Sequence, residues 1–407
     1  MIGLRDRSAP KLDKQLQDFL RSLETRQRRR RLQPLRFGVA GMIHSGEQTL
    51  VNFSSNDYLG LARHPRLIER ACQWAEAYGV GATASRLVCG TLVLHEQIEA
   101  RLAAFKGTET ALLLNSGFQA NSALLPALLD VSLLKAEPVV LVDRLVHASL
   151  HQGCAAAGVR QLRFRHNDLN HLEYLLKKHA NAGRRPFIIT ESVFSVDGDR
   201  ADLTGLTTLA NRFGAVLYVD EAHATGLFGP GGAGLVAAEA RGQVDVVMGT
   251  FSKALGGFGA YVACSHRLRQ YLINRCAGFI YSTALPPPVL GAMEAALELV
   301  PSLEAERAWV LATAARLRIT LAVAGLDSAA SSTQIVPAIL GSETTTIAAS
   351  RLLAEEYGIF ATAIRPPTVP DGTSRIRFAI SATHHTTHID RLLAAIPAVA
   401  AAFCRVS

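Results

Sequence analysis

The chain has 407 residues, 49% of them hydrophobic and 19% charged, with a formal net charge of +8. That length suits two to three domains and a large core, and the balance excludes an intrinsically disordered chain. No apolar run reaches the roughly 18 residues that a membrane span needs, so no membrane partner is expected. The N-terminal stretch MIGLRDRSAPKLDKQLQDFL is charged throughout and lacks the apolar centre of a secretory signal. Six cysteines, at 72, 89, 154, 264, 276 and 404, form no C-x-x-C pair. Neither a metal site nor a disulfide framework is expected, and the default location is the reducing cytoplasm.

In chain order, residues 11–31 predict an amphipathic helix with Leu12, Leu16, Phe19, Leu20 and Leu23 on one face. Its end carries the one clustered basic run, RQRRRR at 26–31. No nucleic-acid-binding motif accompanies it, so no nucleic-acid partner is expected. Beside an active site such a run suits an anionic substrate, a carboxylate or coenzyme A phosphates; otherwise it is a solvated helix face. A short strand at 49–53 and a helix at about 64–78 follow. GVGATASRLVCGT reads as a loop with room for close backbone approach.

TALLLNS is a strand running into Gly117 and Phe118, which begin a helix. A helix N-terminus after a strand and S-G suits a phosphate, although this signal alone is weak. Strand-like and helical segments then alternate. PVVLVD leads to His147, RRPFIITESVFSVDGD holds Ser195 and Asp197, and VLYVDEAHATG holds Asp220 and His223. VDVVMGT leads through Thr250 to Lys253 and a glycine-rich KALGGFGAY. This alternation implies a mostly parallel sheet with helices on both faces, and ligands gather at the carboxyl ends of such strands. The proline triplet 286–288 reads as a hinge. A long helical region at about 289–325 and a smaller α+β unit follow it.

A carboxylate ending one strand and a lone lysine just past another suit an amine-reactive coenzyme. Pyridoxal phosphate (PLP) needs a lysine for its Schiff base and a carboxylate for its pyridinium nitrogen. Each residue also has an ordinary alternative: Asp220 as a helix cap, His147 as a core histidine, Arg377 as a surface charge.

The segments NFSSNDYLGL (52–61), SRLVCGT (85–91), NSGFQAN (115–121), DRLVHAS (143–149), ESVFSVDGD (191–199), VDEAHATG (219–226), TFSKALGG (250–257) and YSTALPP (281–287) occur in this order. Together they resemble the α-oxoamine synthase family of fold-type-I PLP enzymes over essentially the whole chain. AIRPPTVPDGTSRIRFAISATH at 363–384 is most similar to the branch that condenses L-alanine with a pimeloyl thioester.

The resemblance implies an α/β fold of the fold-type-I PLP transferases, with a large domain built on a mostly parallel central sheet sandwiched by helices. It also implies an N-terminal helix and strand segment (1–55) packing with the small domain, the large coenzyme domain (56–285) and a small α+β C-terminal domain (286–407). In that reading Lys253 holds PLP as a Schiff base and later moves the α-proton. Asp220 pairs with the ring nitrogen, and His147 stacks on the ring. Ser195 and His223 bond near its phenolic oxygen, and Gly117, Phe118 and Thr250 lie at the phosphate. Arg377 grips the amino acid carboxylate. Thr368 and Arg30 (or its neighbour Arg29 or Arg31) contact substrate.

A homodimer with a shared active site is implied. The acyl donor is expected to be pimeloyl-CoA or a pimeloyl-carrier protein, with glycine C-acetyltransferase or another amino acid:acyl-CoA C-acyltransferase as the alternative. The chain departs from the family at GATASRL, where Thr83 and Ala84 stand for glycines, and at Ala224.

Overall fold

The computed structural model describes residues 11–179 and 183–403; the N-terminal segment 1–10 and Cys404 lie outside them. Its strands are β1 (Arg36–Phe37), β2 (Met42–Ser45), β3 (Gln48–Asn52), β4 (Thr110–Leu114), β5 (Glu137–Asp143), β6 (Gln161–Phe164) and β7 (Arg184–Glu191). They continue as β8 (Val216–Asp220), β9 (Val246–Thr250), β10 (Ala260–Cys264), β11 (Ile335–Gly341), β12 (Ile359–Phe360), β13 (Thr362–Ile364) and β14 (Ser374–Ala379).

Seven of these form the central sheet in the order β4-β10-β9-β8-β7-β5-β6. Only β10 runs against its neighbours β4 and β9. The other pairs are parallel. Helices cover both faces, so the middle strands are apolar runs without alternation. Val140, Leu141, Val142, Ile188, Ile189, Leu217 and Val219 are all fully buried. Each such side chain contributes about 1.5–3 kcal/mol relative to exposure. With one strand reversed, the carboxyl ends of β4, β5, β7, β8 and β9 share a single edge.

β11, β14 and β13 make a small antiparallel sheet, and β1, β2, β3 and β12 make a third. Phe53 joins the two small sheets: its N–H donates to Phe360 and its carbonyl accepts from Ala379. The following turn is held the same way, the Tyr58 carbonyl accepting from the Ala382 N–H. On its other side the turn meets the segment after β9. A Cβ on Gly256, whose φ is +66°, would stand 2.3 Å from the Leu61 carbonyl carbon. Only glycine permits this approach, which brings the Tyr58 turn against the Lys253 segment.

Two helix expectations change. The first helix is Lys11–Thr25, so the arginine run lies beyond it and not on a helix face. Gln27 takes a left-handed φ of 55°, which ends the helix without a glycine. Arg28 then pairs with Glu343 and Asp371 at 2.8 and 2.6 Å. The region 289–325 is two helices, Pro287–Leu299 and Glu304–Val323. They part around Pro301, which has no N–H to continue the ladder. Among the described residues, no helix is long and apolar enough to cross a membrane.

Candidate active site

The carboxyl edge of the central sheet collects the strand-end residues into two hydrogen-bonded groups. The first begins where β4 enters the helix Gly117–Leu128. Ser116 caps that helix by accepting from the Gln119 N–H. The Gly117 and Phe118 amides have no acceptor among the described residues, and they sit at the positive end of the helix dipole. Gly117 lies against Thr250: a Cβ built on the glycine stands 3.8 Å from the threonine Cβ. The Thr250 and Ser252 hydroxyls are 2.8 Å apart. Phe118 and His147 meet edge to face with centroids 6.4 Å apart.

From His147 a polar chain runs down to the sheet. Its Nδ1 is 2.8 Å from the Ser149 hydroxyl, which accepts from Asn121 Nδ2 at 2.8 Å. The same Asn121 amide donates to Asp220 Oδ2 at 2.8 Å, and the Ala222 N–H donates to Oδ1 at 2.9 Å. Asp220 is thus a buried carboxylate fixed through both oxygens. Glu191 lies beside it, accepting from the His147 N–H. Burial, reinforced by the Asp220 charge, pushes the Glu191 carboxyl well above the usual range, which favours its neutral form.

The second group starts at Lys253, three residues past β9. Its Nζ is 2.8 Å from His223 Nε2. His223 Nδ1 is 2.7 Å from the Tyr58 hydroxyl, and that hydroxyl accepts from Arg377 Nη2 at 3.3 Å. Arg377 further donates from Nη2 to Asn56 Oδ1 (3.2 Å) and from Nε to the Ser195 carbonyl (2.7 Å). Burial pushes the Lys253 ammonium down to about 8, against the pull of the Asp220 carboxylate. Burial, with Lys253 and Arg377 nearby, holds His223 well below the usual imidazole range.

Arg377 stands out electrostatically. It is 9% exposed, and among the described residues no carboxylate pairs with it. Arg375, two residues away on the same strand, is neutralised by Asp197. A buried cation without a counter-ion is costly unless a ligand supplies the charge.

The structure therefore gathers Gly117, Phe118, His147, Asp220 and Thr250 in one group and Lys253, His223, Arg377 and the Ser195 backbone in the other. Arg30 and Thr368 stand apart as an exposed pair, Nη2 to Oγ1 at 3.0 Å, and among the described residues no hydrogen bond ties them to Lys253 or Arg377. Sequence reasoning missed Asn56, Tyr58, Asn121 and Glu191. Asn121 and Glu191 lie in segments already singled out at strand ends (115–121 and 191–199); Asn56 and Tyr58 lie in 52–61, but nothing local there says which segments their turn will meet.

The fold and these strand-end residues define a fold-type-I pyridoxal-phosphate enzyme. The chain belongs to the aminotransferase class I and II family, whose model matches residues 48–396, and within it to the α-oxoamine synthases. It is similar to the 8-amino-7-oxononanoate synthase of Gluconacetobacter diazotrophicus, 56% identical over 389 residues that span 95% of this chain and 97% of that one. A Bordetella bronchiseptica relative, named provisionally for the same activity, is 59% identical over 391 residues (96% and 98%). Among solved structures, the serine palmitoyltransferase of Sphingomonas wittichii superposes with a TM-score of 0.88 at 26% identity, over 98% of this chain and 99% of that one. The chain is a PLP-dependent C-acyltransferase.

Proposed function

We propose that the protein joins L-alanine to a pimeloyl thioester, releasing the thiol and CO₂ and forming 8-amino-7-oxononanoate for biotin synthesis. The observation that carries this reading is the buried, unneutralised Arg377 linked through Tyr58 and His223 to the Lys253 amine. A carboxylate-bearing amine is the substrate that such a cation and base would share. The choice of alanine and of a pimeloyl group rests on the named relatives.

The residues present fit PLP. The free amides of Gly117 and Phe118, with the Thr250 hydroxyl, suit its phosphate. The fixed Asp220 carboxylate suits its ring nitrogen, His147 suits the ring face, and Ser195 and His223 suit its oxygen side. Lys253, with its lowered basicity, suits the Schiff base. Bound there, the coenzyme supplies an electron sink for charge developing at an amino acid Cα.

The chain's own residues do the rest. Arg377 holds the amino acid carboxylate and so fixes which Cα bond faces the base. Lys253 Nζ takes and returns the Cα proton, with a pKa close to working pH. His223 stays neutral beside it, so it does not repel the amine as a second cation. Arg30 and Thr368 receive the acyl thioester, carried on coenzyme A or a carrier protein.

The site is shared between two copies of the chain in a cytoplasmic homodimer. The 84% exposed Tyr281 of the YSTALPP segment and the exposed Phe118 support such a partner.

The test is thiol release from a panel of acyl thioesters, each offered with alanine, glycine or serine. Selective turnover of alanine with the pimeloyl thioester is expected. Preference for glycine with acetyl-CoA, or for serine with a long-chain acyl-CoA, would overturn the substrate assignment and leave the family standing.

A further inference from the structure

A second cluster, outside the residues given a role above, ties two parts of the site together. His166, just past β6, bridges two acidic residues from different segments. Its Nδ1 is 2.9 Å from Asp143 Oδ1, and its Nε2 is 2.7 Å from Asp199 Oδ2. Asp143 ends β5, four residues before His147. Asp199 closes the loop after β7, four residues beyond Ser195. A ring that hydrogen-bonds a carboxylate at each nitrogen carries a proton on each, so it is a cation shared by both.

Asn167 doubles the link. Its N–H donates to Asp143 Oδ2 at 2.9 Å, and its amide donates to Asp199 Oδ2 at 2.7 Å and to the Arg200 carbonyl at 3.0 Å. It does so from a left-handed φ of 51°, which asparagine tolerates. Phe194 seals the ring edge to face, with centroids 4.4 Å apart.

The loop held at Asp199 is a tight one. The Phe194 N–H donates to the Asp199 carbonyl, and the Gly198 N–H to the Phe194 carbonyl, both at 3.0 Å. Its far side contacts the C-terminal part of the chain. The Ser195 carbonyl accepts from Arg377, Asp197 pairs with Arg375, and the Gly198 carbonyl accepts from the Thr333 hydroxyl. A Cβ on Gly198 would lie 2.1 Å from the Ile335 carbonyl oxygen, so the loop has little room to shift toward β11.

We propose that His166 is a positioning residue for amino acid binding. By clamping Asp199 to Asp143 it fixes the loop whose Ser195 carbonyl orients the Arg377 guanidinium. The inference rests on the reading of Arg377 as the carboxylate ligand. Loss of the clamp lets the Ser195 carbonyl move, and Arg377 then meets the carboxylate from a wider range of angles.

The experiment compares holoenzymes carrying His166→Gln, Asp199→Asn and Arg377→Ala with the parent. The amino acid dissociation constant is read from the change in coenzyme absorbance on titration with alanine, and KM values for both substrates are measured beside it. His166→Gln is expected to weaken alanine binding about tenfold while the thioester KM stays within about twofold. Asp199→Asn, which keeps the His166–Asp143 contact, is expected to act in the same direction and less strongly. It also serves if His166→Gln does not fold. If Arg377→Ala weakens alanine binding and both other variants bind it as the parent does, the positioning role is wrong, however much their melting temperatures fall. If Arg377→Ala itself leaves alanine binding unchanged, the carboxylate reading falls and this inference falls with it.

Discussion

Lys253 Nζ and His223 Nε2 face each other at 2.8 Å, and the histidine's other nitrogen faces the Tyr58 hydroxyl at 2.7 Å. This arrangement couples the histidine tautomer to the protonation of the lysine. Tyr58 accepts from Arg377, so its single proton goes to Asn56 Oδ1 at 3.0 Å or to His223 Nδ1 at 2.7 Å, and the shorter contact favours the imidazole. Once Lys253 has lost its proton, above about pH 8, His223 can carry its own proton on Nε2 and offer it to the amine lone pair. Tyr58 thereby supports the uncharged, nucleophilic lysine.

Coenzyme capture by the coenzyme-free protein should accordingly rise with pH around a midpoint near the Lys253 value of about 8, well below that of an exposed lysine. Tyr58→Phe removes the proton that fixes the tautomer, and the midpoint should move upward by a few tenths of a pH unit. Stopped-flow absorbance across pH 6–10 reads both. A parent midpoint near that of a free lysine would contradict the burial argument, and an unchanged midpoint in Tyr58→Phe would remove the tyrosine from it.

Asp220 accepts through both oxygens, from Asn121 Nδ2 and the Ala222 N–H, so Asp220→Asn removes the charge together with one of the two acceptors. The variant should retain coenzyme yet exchange the alanine α-proton about 10²-fold or more slowly, because a preorganised charge is missing. Proton exchange in deuterated buffer, followed by NMR, measures this. Exchange at the parent rate would show that the carboxylate has no such electrostatic role.

Thr83 sits at φ +62°, a left-handed conformation that a β-branched residue adopts only under strain. By its resemblance to the family, this position is one where glycine is often found. Thr83→Gly should stabilise the protein by about 0.5–1 kcal/mol, the relieved strain being partly offset by glycine's added chain entropy. A urea unfolding curve decides the sign. A loss of stability would mean that the Thr83 side chain makes a contact worth more than the strain, its hydroxyl 3.8 Å from Cys89 Sγ being the candidate.

The strand-end residues were legible because each follows an apolar run, and a parallel sheet delivers such positions to one edge. Gly117, His147, Asp220 and Lys253 could be read in this way. Tyr58 and Asn56 could not, since their turn is placed by hydrogen bonds to Phe360, Ala379 and Ala382, and no local pattern says which distant segments will meet. The end of the first helix was misplaced for a related reason. The stretch 26–31 has no glycine or proline to stop it, and the break comes from a left-handed Gln27 and from Arg28 reaching Glu343 and Asp371. His166 was invisible because its meaning lies in two carboxylates from other segments.

His166 also makes a pH prediction. Burial alone would lower its pKa, but the hydrogen bonds to Asp143 and Asp199 and their charges raise it to about 9. A raised folded value contributes stability that is full below about 6.5, the unfolded value, and is lost as pH climbs through 9. Arg165, the neighbouring charge, is engaged with Asp168. The melting-temperature gap between the parent and His166→Gln should therefore be widest near pH 6 and close by several degrees toward pH 10. A gap that does not vary with pH would mean the ring is not held as a cation.

Lys253 is proposed to carry the coenzyme at this strand edge, and chemical reduction identifies the lysine that does. The holoenzyme is treated with borohydride, digested, and searched by mass spectrometry for a pyridoxyl-phosphate adduct. The adduct should map to the peptide containing Lys253, and Lys253→Ala should give none. An adduct on any other lysine, or an unlabelled Lys253 in a protein that still turns over substrate, would show that Lys253 does not hold the coenzyme.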